Sequence, residues 1–242
     1  MMKLSDIPKK KPKILIYGKA GVGKTAFTLT LGEQLQTLDL DDGVNTGQSL
    51  QDEFKSERLK VDIVQCLEES PVKSVGFGKA KAQLMKVANS CNKGDYAFKW
   101  LGIDSYTGLA DAAVRFVLSN SGVLGKGPPK IQHWGLAFNE LEGFLAILRS
   151  LPIGVVMVCH EQTTYIDEVA HIEIATPGQK LQAKIPRFFD EVWYMKMKHM
   201  SQNKTARVLQ TQPTPSILAR SRSCLENETD TSVGFVEILK KL

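Results

Sequence analysis

Through the first two-thirds of the chain, short unbroken apolar runs alternate with stretches whose apolar residues recur every three to four positions. Ile14-Leu15-Ile16-Tyr17 is such a run, the pattern of a strand buried on both faces. A glycine-rich turn follows, and residues 24–35 carry helical spacing. Residues 36–40 give a second strand ending at Asp41-Asp42-Gly43, and residues 61–65 a short third one. Residues 79–90 read as a helix, 98–104 as a buried strand and 106–118 as the helix after it. The stretch 119–133 is rich in Gly, Pro and Ser and reads as a loop. Residues 134–151 form the most regular helix, with Leu136, Phe138, Leu141, Phe144, Leu145 and Leu148 on one side. An apolar strand, 153–159, comes next.

Beyond it the pattern changes. Residues 163–166 and 171–175 alternate around Asp167-Glu168 as a small hairpin does. Residues 192–197, 206–210 and 216–219 are further strand candidates, and a short helix over 236–242 closes the pattern. Strand–helix alternation predicts an α/β fold: a mainly parallel central sheet, helices on both faces, and additional C-terminal strands. No repeat and no second core stand out. The expected organisation is a basic tail over residues 1–13 and one domain over 14–242.

Composition narrows the classes. No apolar run approaches the roughly 20 residues of a membrane span, and the first 13 residues lack the apolar segment of a secretion signal. Cys66, Cys91, Cys159 and Cys224 are scattered, with no CxxC pair, which suggests neither a disulfide framework nor a zinc knuckle. A cytoplasmic protein without a membrane partner is expected. Lys and Arg number 31 against 26 Asp and Glu, a net charge of +5. That charge is divided unevenly: +4 over residues 1–13, +7 over 179–222, and −6 over the rest. Two basic segments flank an acidic-leaning centre, an asymmetry that suits a polyanion partner. Lys180, Lys184, Arg187, Arg207, Arg220 and Arg222 are the places to look in the second segment.

The chemistry is carried by Gly18-Lys19-Ala20-Gly21-Val22-Gly23-Lys24-Thr25, which meets G-x-x-x-x-G-K-[ST] at every fixed position, between a strand and a helix. In such a loop, backbone N–H groups from Gly18 to Ala26 turn toward phosphate oxygens, and the helix start adds its positive dipole end. Lys24 reaches the β- and γ-phosphates, and the Thr25 hydroxyl ligates Mg²⁺. Asp104, closing the strand of Trp100-Leu101-Gly102-Ile103-Asp104, is the acid expected at the metal, and it also fits as an N-cap for the next helix. For the attacking water the candidates are Asp41 and Glu161. His160, at the tip of the 153–159 strand, is the candidate sensor of the γ-phosphate.

The order of blocks GKAGVGKT, LDLDDG, WLGIDS, VVMVCHEQ and ATPGQKLQAKIPRFFDEVWYMKMK resembles the RecA-like P-loop ATPases over residues 12–222. It is most similar to compact phage-encoded nucleotide-binding proteins, some of which act as recombinases or single-strand annealing proteins. The resemblance implies ATP and Mg²⁺ as cofactors, Asp41 as the water-activating acid, Asp104 as the Walker B acid and His160 as the switch residue. It implies single-stranded DNA as partner, met by two loops: one with Lys126 and Lys130, the other with Thr163, Thr164 and Tyr165. It also implies a homo-oligomer, filament or ring, and a single-strand binding protein as a further partner. Bacterial recombinases reach a neighbour's nucleotide with a lysine pair. Here residues 207–213 offer Gln210 and Gln212 instead, and Arg220 and Arg222 lie just beyond as candidates. The expected function is Mg²⁺-dependent ATP hydrolysis on single-stranded DNA, in the cytoplasm of a bacterial host if phage-encoded. Alternatives are an ATP-binding annealing module with negligible turnover and a motor or helicase-loader ATPase.

Overall fold

The first apolar run becomes β1 (Lys13–Gly18), and all six of its residues are buried. Burial on both sides is what an apolar run without alternation requires, and the sheet supplies it. The computed structural model describes residues 11–45, 60–68, 70, 72–200, 204–223 and 225–242, the side chains of Gln179 and Lys180 excepted. Residues 1–10 of the expected 1–13 tail and Cys224 lie outside the described residues, and Lys13 of that tail is instead the buried first residue of β1.

After β1 the elements are α1 (Lys24–Leu29), β2 (Leu35–Asp39), β3 (Asp62–Gln65), α2 (Gly76–Lys93), β4 (Trp100–Asp104), α3 (Tyr106–Asn120) and α4 (Ile131–Ser150). There follow β5 (Gly154–Ile166), β6 (Val169–Ile174), α5 (Gln179–Lys184), β7 (Glu191–His199), β8 (Thr205–Gln210), β9 (Glu228–Asp230) and α6 (Phe235–Leu239). The sheet runs β3-β2-β4-β5-β1-β7-β8-β9, with β6 paired to β5. From β3 to β7 all pairings are parallel; β8 and β9 continue antiparallel. This is the fold class the pattern predicts.

Period two decides which face each residue serves. Leu15 and Tyr17 of β1, with Val155 and Met157 of β5, pack under α2, α3 and α4 against Phe77, Leu109 and Phe144. Ile14 and Ile16, with Val156, Val158 and Trp193, face the other way, against Phe27 of α1 and Phe235 and Ile238 of α6. Phe235 is fully buried and stacks on Phe27 at 4.8 Å, which ties the last helix to the first.

Several boundaries differ from expectation. The first helix stops at Leu29 rather than running to 35. The Thr30 hydroxyl donates to the Phe27 carbonyl at 2.6 Å, and Gly32 then turns into the left-handed region at φ +64°. The expected strand at 153–159 and the first arm of the hairpin are one 13-residue strand, β5. It pairs with β1 as far as His160 and changes partner to β6 from Glu161. Asp167 and Glu168 make the hairpin turn, at φ +50° and +64°. Residues 216–219 are not a strand: Ile217 bridges to Ile172 and Arg220 to Val192, so the segment crosses between two strands instead of lying along one. Among the described residues no helix is long and apolar enough to cross a membrane.

Candidate active site

The loop after β1 needs its glycines for two separate reasons. Gly21 and Gly23 lie at φ +75° and +101°, a region that side chains with a Cβ avoid. Gly18 is required by closeness instead: a Cβ there would fall 2.3 Å from the Met195 carbonyl oxygen. The loop curls around Lys24, whose side chain is 6% exposed and whose Nζ donates to the carbonyls of Gly18 and Lys19, each at 2.8 Å. Burial lowers the pKa of this ammonium, while the nearby Asp104, Glu161 and Asp41 carboxylates pull it back up.

Two strand ends bring the acids to it. β2 and β4 pair so that Asp39 stands opposite Asp104. Asp104 hydrogen-bonds the Thr25 side chain, and its carboxyl is pushed up to about 6 by burial, with repulsion from Asp41 and Asp39 adding to it. The turn after β2 closes over this pair. A Cβ on Gly43 would lie 3.4 Å from Thr25 Oγ1 and 3.5 Å from Asp104 Oδ2. Asp39 builds that turn: its Oδ1 accepts the backbone N–H groups of Asp41 and Gly43, each at 3.3 Å. The strand stops at Asp39, so alternation does not carry on to Asp41.

Asp41 is held from two sides. Ser105 Oγ donates to its Oδ2, and His160 Nε2 lies 3.6 Å from the same oxygen. Burial alone raises an acid, but the bonds from His160 and Ser105, with Lys24 nearby, outweigh it and hold Asp41 below the usual carboxylate range. Asp41 therefore stays a hydrogen-bond acceptor at neutral pH, as a base must. His160 is placed by its backbone, whose N–H donates to Thr107 Oγ1 at 3.1 Å and whose carbonyl accepts from Ala175 at 2.8 Å. By register it sits beside Gly18, the loop's first glycine. Glu161 is differently engaged: Tyr194 hydrogen-bonds it.

Ser105 was not legible as a site residue. It, rather than Asp104, is the N-cap of α3, accepting from the Gly108 N–H at 3.1 Å while donating to Asp41. Gly108 leaves room for this, since a Cβ there would come 2.1 Å from Asp41 Oδ1. A cap spacing of Ser then Gly three residues on was the available signal. Ser105→Ala is expected to cost about 1 kcal/mol in urea unfolding, the usual loss for a cap. A midpoint equal to wild type would show that the cap contributes nothing.

The other candidates lie apart from this cluster. Lys126 and Lys130 are exposed between α3 and α4, and neither pairs with a carboxylate among the described residues. Thr163 and Thr164 are on the outer arm of β5, where the Thr164 hydroxyl donates to Glu173 at 2.9 Å. Tyr165 beside them is 75% exposed, so it is not a packing residue. Arg220 is occupied internally: its Nη2 donates to the carbonyls of Pro186 and Phe189, which takes it from the role of reaching a neighbour. Arg222 pairs with Asp190 at 3.0 Å. In the basic segment Lys184 and Arg187 both meet Glu142, and Lys196 and Lys198 both meet Glu228. Glu142 and Glu228, from outside the segment, thus offset two of its seven net charges.

Strand order and loop together define a P-loop nucleotide-binding fold, with the Asp104 strand separated from the loop strand by β5. The chain belongs to the AAA domain family, whose model matches residues 10–223. Its fold is similar to that of the flagellar accessory protein FlaH from Methanocaldococcus jannaschii, with a TM-score of 0.48 and 10% identity, over 91% of this chain and 84% of that one. No curated protein matches the sequence. The family supports an AAA-type P-loop ATPase fold and nucleotide as the class of ligand.

The residues present fit such a ligand. The loop glycines leave its backbone bare. Among the described residues, the Lys24 ammonium donates to two carbonyls alone, and Asp39 Oδ2 is buried with no partner. A hydroxyl and a carboxylate, Thr25 and Asp104, are the hard oxygen donors that Mg²⁺ takes. No cluster of three or more His, Cys, Asp or Glu among the described residues could hold a metal. Mg²⁺ here would depend on Thr25, Asp104 and the phosphates together.

Proposed function

We propose that this chain is a Mg²⁺-dependent ATPase that acts on single-stranded DNA in recombination or strand annealing of the phage type. The observation that carries the ATPase half is convergence: side chains from four separate segments, Lys24 with Thr25, Asp41, Asp104 and His160, meet at one loop. Lys24 and the loop amides bind phosphates, and Thr25 and Asp104 hold the metal. Bound Mg²⁺ supplies charge neutralisation at the phosphates. Asp41, kept ionised by Ser105 and His160, accepts the proton of the attacking water. Glu161 is the less suited of the two acids, since no hydroxyl or imidazole is held to its buried Oε2 among the described residues as Ser105 and His160 are to Asp41. His160 links Asp41 to the loop's first glycine, so a γ-phosphate at the loop is felt along β5 toward the hairpin.

The DNA half is supported by the far end of that strand. Tyr165 presents an exposed ring of the kind on which bases stack, and Lys126 and Lys130 are exposed cations that pair with no carboxylate among the described residues. A homo-oligomer, as in a filament or ring, belongs to the same reading.

Fluorescence anisotropy of a labelled oligonucleotide, with ATP, with a non-hydrolysable analogue and without nucleotide, tests it at two salt concentrations. The expected result is nucleotide-dependent binding that weakens steeply with salt, together with ATP turnover that DNA stimulates. Equal annealing with ATP and the analogue would favour an annealing module with negligible turnover, and strand displacement would favour a motor or loader. Absence of oligonucleotide binding under every condition removes the DNA half and leaves the nucleotide site standing.

A further inference from the structure

The carboxylates that act on Lys24 (Asp104, Glu161 and Asp41) all reach the phosphate loop from one side. β1 lies between β5 and β7, and Asp41, Asp104 and His160 all come from the β5 side of the sheet. On the other side β7 pairs with β1 only up to Tyr194, opposite Tyr17, and continues to His199. β8 returns along it, with Arg207 opposite Met197. The β7–β8 hairpin therefore overhangs the loop, which is why a Cβ on Gly18 would strike the Met195 carbonyl.

Arg207 points its side chain at the same loop. A Cβ on Gly23 would fall 3.1 Å from both Cδ and Nε of Arg207, and 3.8 Å from Cζ. The arginine thus lies against the last glycine before Lys24. Its strand is anchored there, because the Arg207 carbonyl accepts from the Thr231 hydroxyl at 3.0 Å. Six other cations of the segment have partners: Lys184, Arg187, Lys196, Lys198 and Arg222 meet carboxylates, and Arg220 meets carbonyls. Arg207 is exposed and, among the described residues, pairs with no carboxylate.

We infer that Arg207 is a phosphate-binding residue of the nucleotide site, supplied by the C-terminal hairpin, and that it contacts the phosphates ADP and ATP share rather than the γ-phosphate. The inference rests on the nucleotide-binding reading above. A guanidinium presents a planar fork of N–H donors that matches phosphate oxygens, and it remains charged at any working pH. Its side of the loop decides which phosphates. The metal-binding pair and Asp41 mark the γ-phosphate end toward β4 and β2, and Arg207 lies two strands away in the other direction. The sequence alone gave Arg207 only as one of several basic residues in its segment.

Isothermal titration of the full-length chain with ADP, ATP and pyrophosphate, each with Mg²⁺, tests the assignment in wild type, Arg207→Ala and Arg207→Lys. Arg207→Ala is expected to weaken ADP and ATP by the same factor, about tenfold or more for a lost charged hydrogen bond. Pyrophosphate should weaken in parallel, and Arg207→Lys should recover part of the loss. Melting of the ligand-free Arg207→Ala protein should match wild type, since the side chain pairs with no carboxylate among the described residues. ADP affinity within twofold of wild type overturns the inference and leaves nucleotide binding intact. A loss confined to ATP would move Arg207 to the γ-phosphate, and a loss for ADP but not pyrophosphate would move it to the base; either overturns it. Failure of wild type to bind any of the three ligands overturns the nucleotide reading itself, and this assignment with it.

Discussion

Lys24→Ala is expected to weaken ATP and ADP at least about 100-fold, the scale of losing a charge-assisted contact to more than one phosphate oxygen in a partly desolvated site. The residue is 6% exposed and, among the described residues, bonds only the Gly18 and Lys19 carbonyls, neutral acceptors that a phosphate oxygen readily outcompetes. The folded protein should tolerate the change. Burial lowers the pKa of Lys24 below its unfolded value, so at neutral pH the fold is bearing the cost of a desolvated ammonium. That cost is absent above the unfolded pKa, grows as pH falls toward the folded pKa and is constant below it. Removing the ammonium relieves it, against the loss of two bonds to carbonyls. Calorimetric titration and thermal melting measured together separate the two effects. Unchanged nucleotide affinity in a well-folded Lys24→Ala protein would sink the site assignment; lost affinity with a collapsed melt would show only that the loop had unfolded.

What the sequence made legible was whatever had period or a rigid local motif. The P-loop is read in eight consecutive residues because its geometry is local, and β1, β4 and the start of β5 are read because they are buried on both faces. Asp104 and His160 followed from those strands, since parallel strands bring their C-terminal ends to one edge. What stayed hidden was what depends on partners distant in sequence. β9 has three residues and α5 six, too few to show a period. The continuity of β5 past His160 is set by exchange of β1 for β6, which no local pattern encodes. Ser105 fell between the expected 98–104 strand and 106–118 helix, and its role comes from a hydroxyl that bridges Gly108 and Asp41. Arg207 could not be separated from its basic neighbours, because the difference lies in which of them meet Glu142, Glu228 or Asp190.

Asp104→Asn should separate stability from function in opposite directions. The carboxyl is 6% exposed and pushed up to about 6 by burial, with Asp41 and Asp39 adding repulsion and Thr25 and Lys24 opposing it. An unfolded Asp titrates near 3.9, so the unfolded chain gives up this proton first. The resulting cost to the fold is absent below about pH 3.9, is roughly half developed near pH 5, and is complete above about pH 6. Two units correspond to about 3 kcal/mol as an upper bound, at 1.36 kcal/mol each. In chelator, Asp104→Asn should therefore melt roughly 5–10 °C above wild type at pH 8, with a smaller gap at pH 5. The same change removes the carboxylate of the Thr25–Asp104 pair. Turnover should fall ~100-fold or more, and ATP affinity should lose its dependence on added Mg²⁺. Asn keeps the shape and one acceptor oxygen, so ADP binding without metal should stay near wild type. A variant no more stable than wild type at pH 8, with Mg²⁺ dependence intact, would mean that Asp104 is neither strained nor at the metal. Stability gained without loss of Mg²⁺ dependence would leave the burial argument standing and move the metal elsewhere.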